Sequence, residues 1–182
     1  MNSRIKNKKT RYIGYVATSI DGKIARSSKS GIDWTSKEDS DFYQNSIKGM
    51  DLLVVGHNTY KLAGRRNWKR AVVLTSKANL QKANDQITFL NPNKSDLKKY
   101  IESKNYKKIA IIGGGEVYDF CLKNQMLDEL YVTIEPLVFT SGVTMFSGKI
   151  FNKHQFRLKS IKKLNRRGSL LLKYENLNTF QK

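Results

Sequence analysis

Three short runs, Leu52–Gly56 (LLVVG), Ala71–Leu74 (AVVL) and Ile109–Ile112 (IAII), are apolar without alternation. A strand with one face in water alternates polar and apolar residues, so strands of this kind must be covered on both faces. Helical patterns lie between the runs. Strands alternating with helices imply a mainly parallel sheet in a three-layer α/β fold. Ligands in such sheets bind outside the carboxyl ends of the strands. Gly56, Thr75-Ser76 and Gly113-Gly114-Gly115 all stand at those ends.

The remaining elements fit the same frame. Tyr12–Thr18 (YIGYVAT) and Glu129–Ile134 read as strands, and Ile87–Leu90 as a shorter one. Ile20 to Lys23 reads as a turn. A helix opens near Thr35 or Ser36, with Glu38 and Asp39 in its first turn, where the helix dipole favours anions. Phe42, Tyr43 and Ile47 give that helix an apolar side. Asn58 or Thr59 is expected to cap a short helix, Ser95 to cap another reaching about Lys104, and Val117–Asn124 to form a third. Phe156–Leu164 and Leu170–Tyr174 read as an antiparallel hairpin turned at Asn165–Gly168. The chain of 182 residues divides into a basic arm, 1–10, and a single domain, 11–178.

Composition narrows the function classes. No run approaches the roughly 18 apolar residues of a membrane span, and the N-terminus lacks the apolar stretch of a secretory signal. Cys121 is the only cysteine, and His57 and His154 are the only histidines. No disulfide and no metal set is expected, and the context reads as cytoplasmic. The net charge of +19 comes from 34 Lys and Arg against 15 Asp and Glu. Nucleic acid is the obvious partner for such a charge, but the lysines are spread along the chain and are not interleaved with stacking aromatics. Nucleic acid is therefore disfavoured, and attraction of anionic small molecules is an alternative.

Four motifs carry chemistry. At Gly113-Gly114-Gly115 the absence of Cβ atoms lets a ligand approach the backbone, and the following helix directs free N–H groups at it. Pyrophosphate fits, as does a tight turn needing positive φ. Gly56-His57-Asn58-Thr59 is a second strand-to-helix turn, suited to phosphate or to plain capping. Thr75-Ser76-Lys77 suits a phosphate monoester or a simple polar loop. Asp39 follows Trp34 by five residues. A carboxylate beside an indole in a cleft can relay a proton, and a first-turn acid can also only serve the dipole.

Together these features resemble the dihydrofolate reductase superfamily, over about Tyr12 to Tyr174. The most specific segment is Ile111 to Tyr118 (IIGGGEVY). It resembles the segment that holds the NADPH pyrophosphate and nicotinamide, with a cis peptide at the first Gly pair. The resemblance implies cofactor contacts from Ile112, Gly113, Gly114, Gly115, Glu116, Val117 and Tyr118. It implies further ones from Gly56, His57, Asn58 and Thr59, and from Ala17 and Ile24. Thr75, Ser76 and Lys77 resemble the 2′-phosphate loop, which implies NADPH over NADH. Trp34 and Asp39 match the substrate tryptophan and proton-relay acid, and Thr133 the threonine that orients that acid. Ala17, Asp39, Tyr43, Lys69, Arg70 and Thr133 fall at substrate positions, with Lys69 near the arginine that grips the folate carboxylate.

Ser19 to Ala25 (SIDGKIA) is similar instead to the signature of the riboflavin-biosynthesis reductase domain, and Val143 to Phe146 resembles a later stretch of it. Two residues depart from that enzyme: Tyr15 stands where it has lysine, and Ile112 where it has glutamate. These departures favour the pterin reductase. The resemblance thus implies an NADPH-dependent oxidoreductase that passes a hydride to a pterin or pyrimidine C=N bond, with dihydrofolate the first acceptor. The alternative acceptor is 5-amino-6-(5-phosphoribosylamino)uracil of riboflavin biosynthesis. A non-catalytic dinucleotide- or nucleic-acid-binding protein is the remaining reading, and a homodimer is allowed for.

Overall fold

A computed structural model describes residues 9–63, 68–77, 81–82, 84–148 and 153–179. Of the expected basic arm, residues 1–8 lie outside the described residues. In chain order the strands are β1 (Arg11–Thr18), β2 (Lys23–Ala25), β3 (Leu52–Gly56), β4 (Ala71–Leu74), β5 (Gln81–Lys82) and β6 (Ile87–Leu90), then β7 (Lys108–Ile111), β8 (Glu129–Ile134), β9 (Val143–Thr144), β10 (Phe156–Lys163) and β11 (Leu170–Asn176). The helices are α1 (Lys37–Lys48), α2 (His57–Ala63), α3 (Leu97–Ser103) and α4 (Gly115–Lys123).

The main sheet runs β10-β11-β8-β1-β7-β3-β4-β6-β5. Its six central strands, β8 to β6, are mutually parallel. The antiparallel hairpin of β10 and β11 extends one edge, and β5 closes the other. The unalternating runs are buried as their patterns require: Val54, Val55, Val72 and Val73 are fully shielded. Period-two alternation divides them between two cores. Leu52, Val54 and Val72 pack with Leu97, Ile101, Val117 and Tyr118 on one face. Leu53, Val55 and Val73 pack with Trp68, and with Phe42, Tyr43 and Tyr60, on the other. The fold is the expected α/β architecture.

Local boundaries differ in places. α2 begins directly at His57, so Asn58 and Thr59 lie inside its first turn and do not cap it. Asp96, not Ser95, caps α3: its Oδ1 accepts from the Lys99 amide at 3.1 Å, while the Ser95 amide is turned back to Asn91 O. α4 starts two residues earlier than expected because Gly114 serves as its cap. The two-stranded ribbon of β2 and β9 has no counterpart in the sequence reading. Its strands are three and two residues long, too short to show a period.

Candidate active site

The strand order places β7 between β1 and β3, and the carboxyl ends of these strands open into one cleft of about 760 Å³. Its glycine wall is tightly fitted. The Gly56 amide donates to Gly113 O at 2.7 Å, joining the ends of β3 and β7. Gly113 has φ +99°, a conformation that suits glycine, and the Gly113–Gly114 peptide is cis. A Cβ on Gly56 would lie 3.1 Å from Val117 Cγ2, one on Gly114 3.3 Å from Thr59 Oγ1, and one on Gly115 3.0 Å from Thr144 O. No side chain caps α4, so its dipole end opens on the glycines.

Beside them His57 places a buried Nδ1 that has no hydrogen-bond partner among the described residues. Burial, and then the positive charges of Lys61 and Lys77, hold its proton affinity below the usual imidazole range. Thr75 Oγ1 accepts from the Lys77 amide at 3.2 Å, and Asn91 Nδ2 donates to Ser76 O at 3.1 Å, which fixes the loop after β4. An uncapped helix end, a close-approach glycine wall, an unpartnered imidazole nitrogen and a nearby ammonium form a donor set suited to a phosphorylated dinucleotide.

The opposite wall carries a carboxyl group and an aromatic cluster. Ser36 caps α1, its Oγ accepting from the Asp39 amide at 3.3 Å. The Asp39 carboxyl is buried, with the Thr133 and Thr35 hydroxyls beside it. Burial raises its pKa, Glu135 adds to the rise, and together they outweigh the two hydroxyls, which favour the ionised form. Tyr15 of β1 stacks on Tyr131 of β8 with centroids 5.3 Å apart and planes at 5°, and Phe42 tilts against both. Burial pushes the Tyr15 phenol up to about 12. The buried Tyr118 hydroxyl donates to Tyr15 O at 2.5 Å, which ties α4 to β1 beneath the cleft.

The structure brings most of the expected residues to this cleft. Ala17, Ile24, Gly56 to Thr59, Thr75 to Lys77 and Ile112 to Tyr118 line it, as do Asp39, Tyr43 and Thr133. Three residues are not brought there. Trp34 is buried outside the lining, edge-on to Phe139 at 5.0 Å. Lys69 and Arg70 are exposed and precede β4, which puts them at the amino end of a strand whose carboxyl end faces the cleft. The Arg70 guanidinium lies 5.7 Å from the Tyr106 ring centroid instead. The Ser-x-Asp-Gly-Lys signature forms a clasp. Asp21 accepts from Ser19 Oγ at 2.6 Å, from the Phe139 amide at 3.1 Å and from the Thr140 amide at 3.0 Å. The loop after β8 is thereby pinned to the loop after β1, with Phe139 over Trp34. Glu135 and the stack of Tyr15 and Tyr131 were not anticipated at the site. Thr133 and Glu135, two apart on an extended segment, share a face, which is the one signal that pointed to Glu135.

A model of the RibD C-terminal domain matches residues 13–168. The chain belongs to this family. The Bacillus subtilis protein YwjB is 28% identical over 161 residues, covering 81% of this chain and 88% of its own. A pyrimidine reductase-like protein from Corynebacterium diphtheriae superposes with a TM-score of 0.75 at 17% identity, covering 93% of each chain. A diaminohydroxyphosphoribosylaminopyrimidine deaminase/5-amino-6-(5-phosphoribosylamino)uracil reductase from Thermotoga maritima superposes with a TM-score of 0.72 at 15% identity. That match covers 94% of this chain but 58% of the Thermotoga chain. These two likenesses show a shared fold. Membership of the RibD C-terminal family favours the riboflavin-pathway alternative over dihydrofolate reductase. Tyr15 and Ile112, the two departures from the riboflavin enzyme, both line the cleft of this RibD-family chain. No described helix is long and apolar enough to cross a membrane, and the described residues hold no cluster of three metal-ligating side chains.

Proposed function

We propose that this RibD-family chain is an NADPH-dependent reductase of a C=N bond in a pyrimidine-derived substrate, with 5-amino-6-(5-phosphoribosylamino)uracil the first acceptor to be tried. The observation that carries the reading is one cleft with a glycine and helix-end wall on one side and the Asp39–Thr133 pair on the other. Gly113 to Gly115 and the α4 end would hold the pyrophosphate, and Thr75, Ser76 and Lys77 the 2′-phosphate. NADPH supplies the hydride when bound. Tyr15, Tyr131 and Phe42 bring a cluster of aromatic rings to the other half of the cleft, which suits a planar heterocycle.

A glycosylamine opens to an imine, and reducing that imine adds hydride at carbon and a proton at nitrogen. Asp39 would supply or relay that proton. Its environment favours the protonated carboxyl, and the Thr133 hydroxyl orients it. Dihydrofolate is the second reading, favoured by Asp39 with Thr133 and by Tyr15 and Ile112 in place of lysine and glutamate. The test is NADPH oxidation measured side by side on the phosphoribosylamino-uracil and on dihydrofolate. Faster turnover of the former supports the proposal, and faster turnover of the latter replaces its acceptor. Measurable NADPH binding without oxidation of either leaves a dinucleotide-binding protein and refutes the enzyme reading.

A further inference from the structure

A second carboxylate, which the mechanism above does not use, lies behind Asp39. Glu135 follows β8 and is 3% exposed. Its Oε1 accepts from the Ser36 amide at 2.8 Å, and Ser36 is the residue that caps α1 and receives the Asp39 amide. Its Oε2 accepts from Ser169 Oγ at 2.5 Å, at the base of the β10–β11 hairpin. Asn165 in the hairpin turn donates to Ser169 Oγ at 2.9 Å and to Glu38 Oε2 at 3.2 Å. One buried carboxylate therefore joins the α1 cap, the end of β8 and the C-terminal hairpin. Both of its oxygens accept, which suits an ionised group.

We propose that Glu135 is a positioning residue for Asp39: it fixes the first turn of α1 through Ser36 and keeps a second negative charge beside the Asp39 carboxyl. The inference rests on the reading of Asp39 as the proton-bearing group. A like charge nearby disfavours ionisation, and Glu135 acts on Asp39 in that sense, after burial. The other ionisable groups around Asp39 are directed elsewhere. On α1, Lys37 pairs with Asp41 at the surface and Glu38 faces Asn165. From β11, Lys173 reaches Glu129 and the Tyr131 ring. Arg166 and Arg167 of the hairpin turn are exposed. Tyr15, Tyr43 and Tyr131 contribute phenols from β1, α1 and β8. Thr35 and Thr133 are neutral donors.

The experiment compares Glu135→Gln and Glu135→Asp in the full chain. Gln keeps an oxygen for the Ser36 amide and removes the charge. Asp keeps the charge on a shorter arm, which weakens the cap. The Asp39 carboxyl is followed through pH by NMR in protein labelled at aspartate, alongside the pH profile of NADPH oxidation. Glu135→Gln is expected to move the Asp39 midpoint down and to cut turnover several-fold on the alkaline side. Glu135→Asp is expected to hold the midpoint up while lowering the melting temperature. An unchanged midpoint in Glu135→Gln overturns the proposal, as does a midpoint that falls equally in Glu135→Asp. A midpoint that moves as expected in a chain that oxidises no NADPH upholds the inference and removes the reductase reading on which Asp39 was chosen.

Discussion

Replacing Gly115 with alanine adds one methyl group at the tightest point of the glycine wall. The new Cβ would lie 3.0 Å from Thr144 O, 3.3 Å from Met145 O and 3.7 Å from the Ser147 amide. All three are backbone atoms, so no side-chain rotation relieves the contact. The segment from Val143 to Ser147 must move away from α4, yet Asp119 Oδ2 holds it by accepting from the Ser147 amide at 3.1 Å and from the Ser147 hydroxyl. Overpacking of this kind costs about 1–3 kcal/mol. Alanine also favours the helix over glycine by up to about 1 kcal/mol, a smaller gain at a first-turn position. The expected net loss is about 1–2 kcal/mol, or a drop in melting temperature of roughly 2–8 °C for a domain of this size. Because the displaced segment borders the cleft, NADPH affinity measured by fluorescence titration should fall with it. Gly49→Ala is the control: its φ is −91° and nothing lies within 4 Å of the added Cβ, so stability should change by no more than about 0.5 kcal/mol. A Gly115→Ala protein with the parent melting temperature and NADPH affinity would refute the close-packed reading of this wall.

Two further outcomes follow from the site. Lys77→Ala should weaken NADPH binding about five-fold, the value of one solvent-exposed ion pair, and leave NADH binding unchanged; equal losses for both would dissociate Lys77 from the 2′-phosphate. Burial raises the pKa of Asp39, so its contribution to stability is complete at acid pH and is lost as pH rises through the folded-state midpoint. Asp39→Asn should therefore match the parent in urea unfolding below about pH 4 and exceed it at neutral pH, and greater stability of the parent at neutral pH would contradict the sign.

The glycine and hydroxyl side of the cleft was legible in the sequence because it is written locally. Each of its pieces is a strand end followed by a glycine or hydroxyl, and strand direction alone carries Gly56, Thr75 and Gly113 to one side of the sheet. Caps were less legible, since Ser95 and Asp96 are adjacent and chemically able, and the choice between them falls to the Asn91 turn that engages the Ser95 amide. Lys69 and Arg70 show a resemblance overriding a physical signal already present. They precede the apolar run of β4, so the direction that put Thr75 at the cleft also put them at the far end. Trp34 misled for another reason. It precedes the Ser36 cap, so helical spacing to Asp39 does not govern where its ring points. That is decided by Phe139, brought over it by the Asp21 clasp.

The wall around Asp39 is built from distant residues, and that is why the sequence outlines the glycine side of the cleft better than the side facing it. Asp39 depends on Thr133, and the Ser36 cap on Glu135, 99 residues away. The aromatic wall pairs Tyr15 with Tyr131 through the register of β1 and β8. Each partner alone reads as an ordinary strand residue, and only the register makes them one surface. Family membership favours a riboflavin-pathway acceptor within the proposed function, while Tyr15 and Ile112 put a phenol and an aliphatic chain in the cleft where the riboflavin enzyme has a lysine and a glutamate. Those two differences remove one charge of each sign, so the net charge at these positions is unchanged while their polarity falls. In the proposed reductase a substrate would therefore be held through its ring and through Asp39.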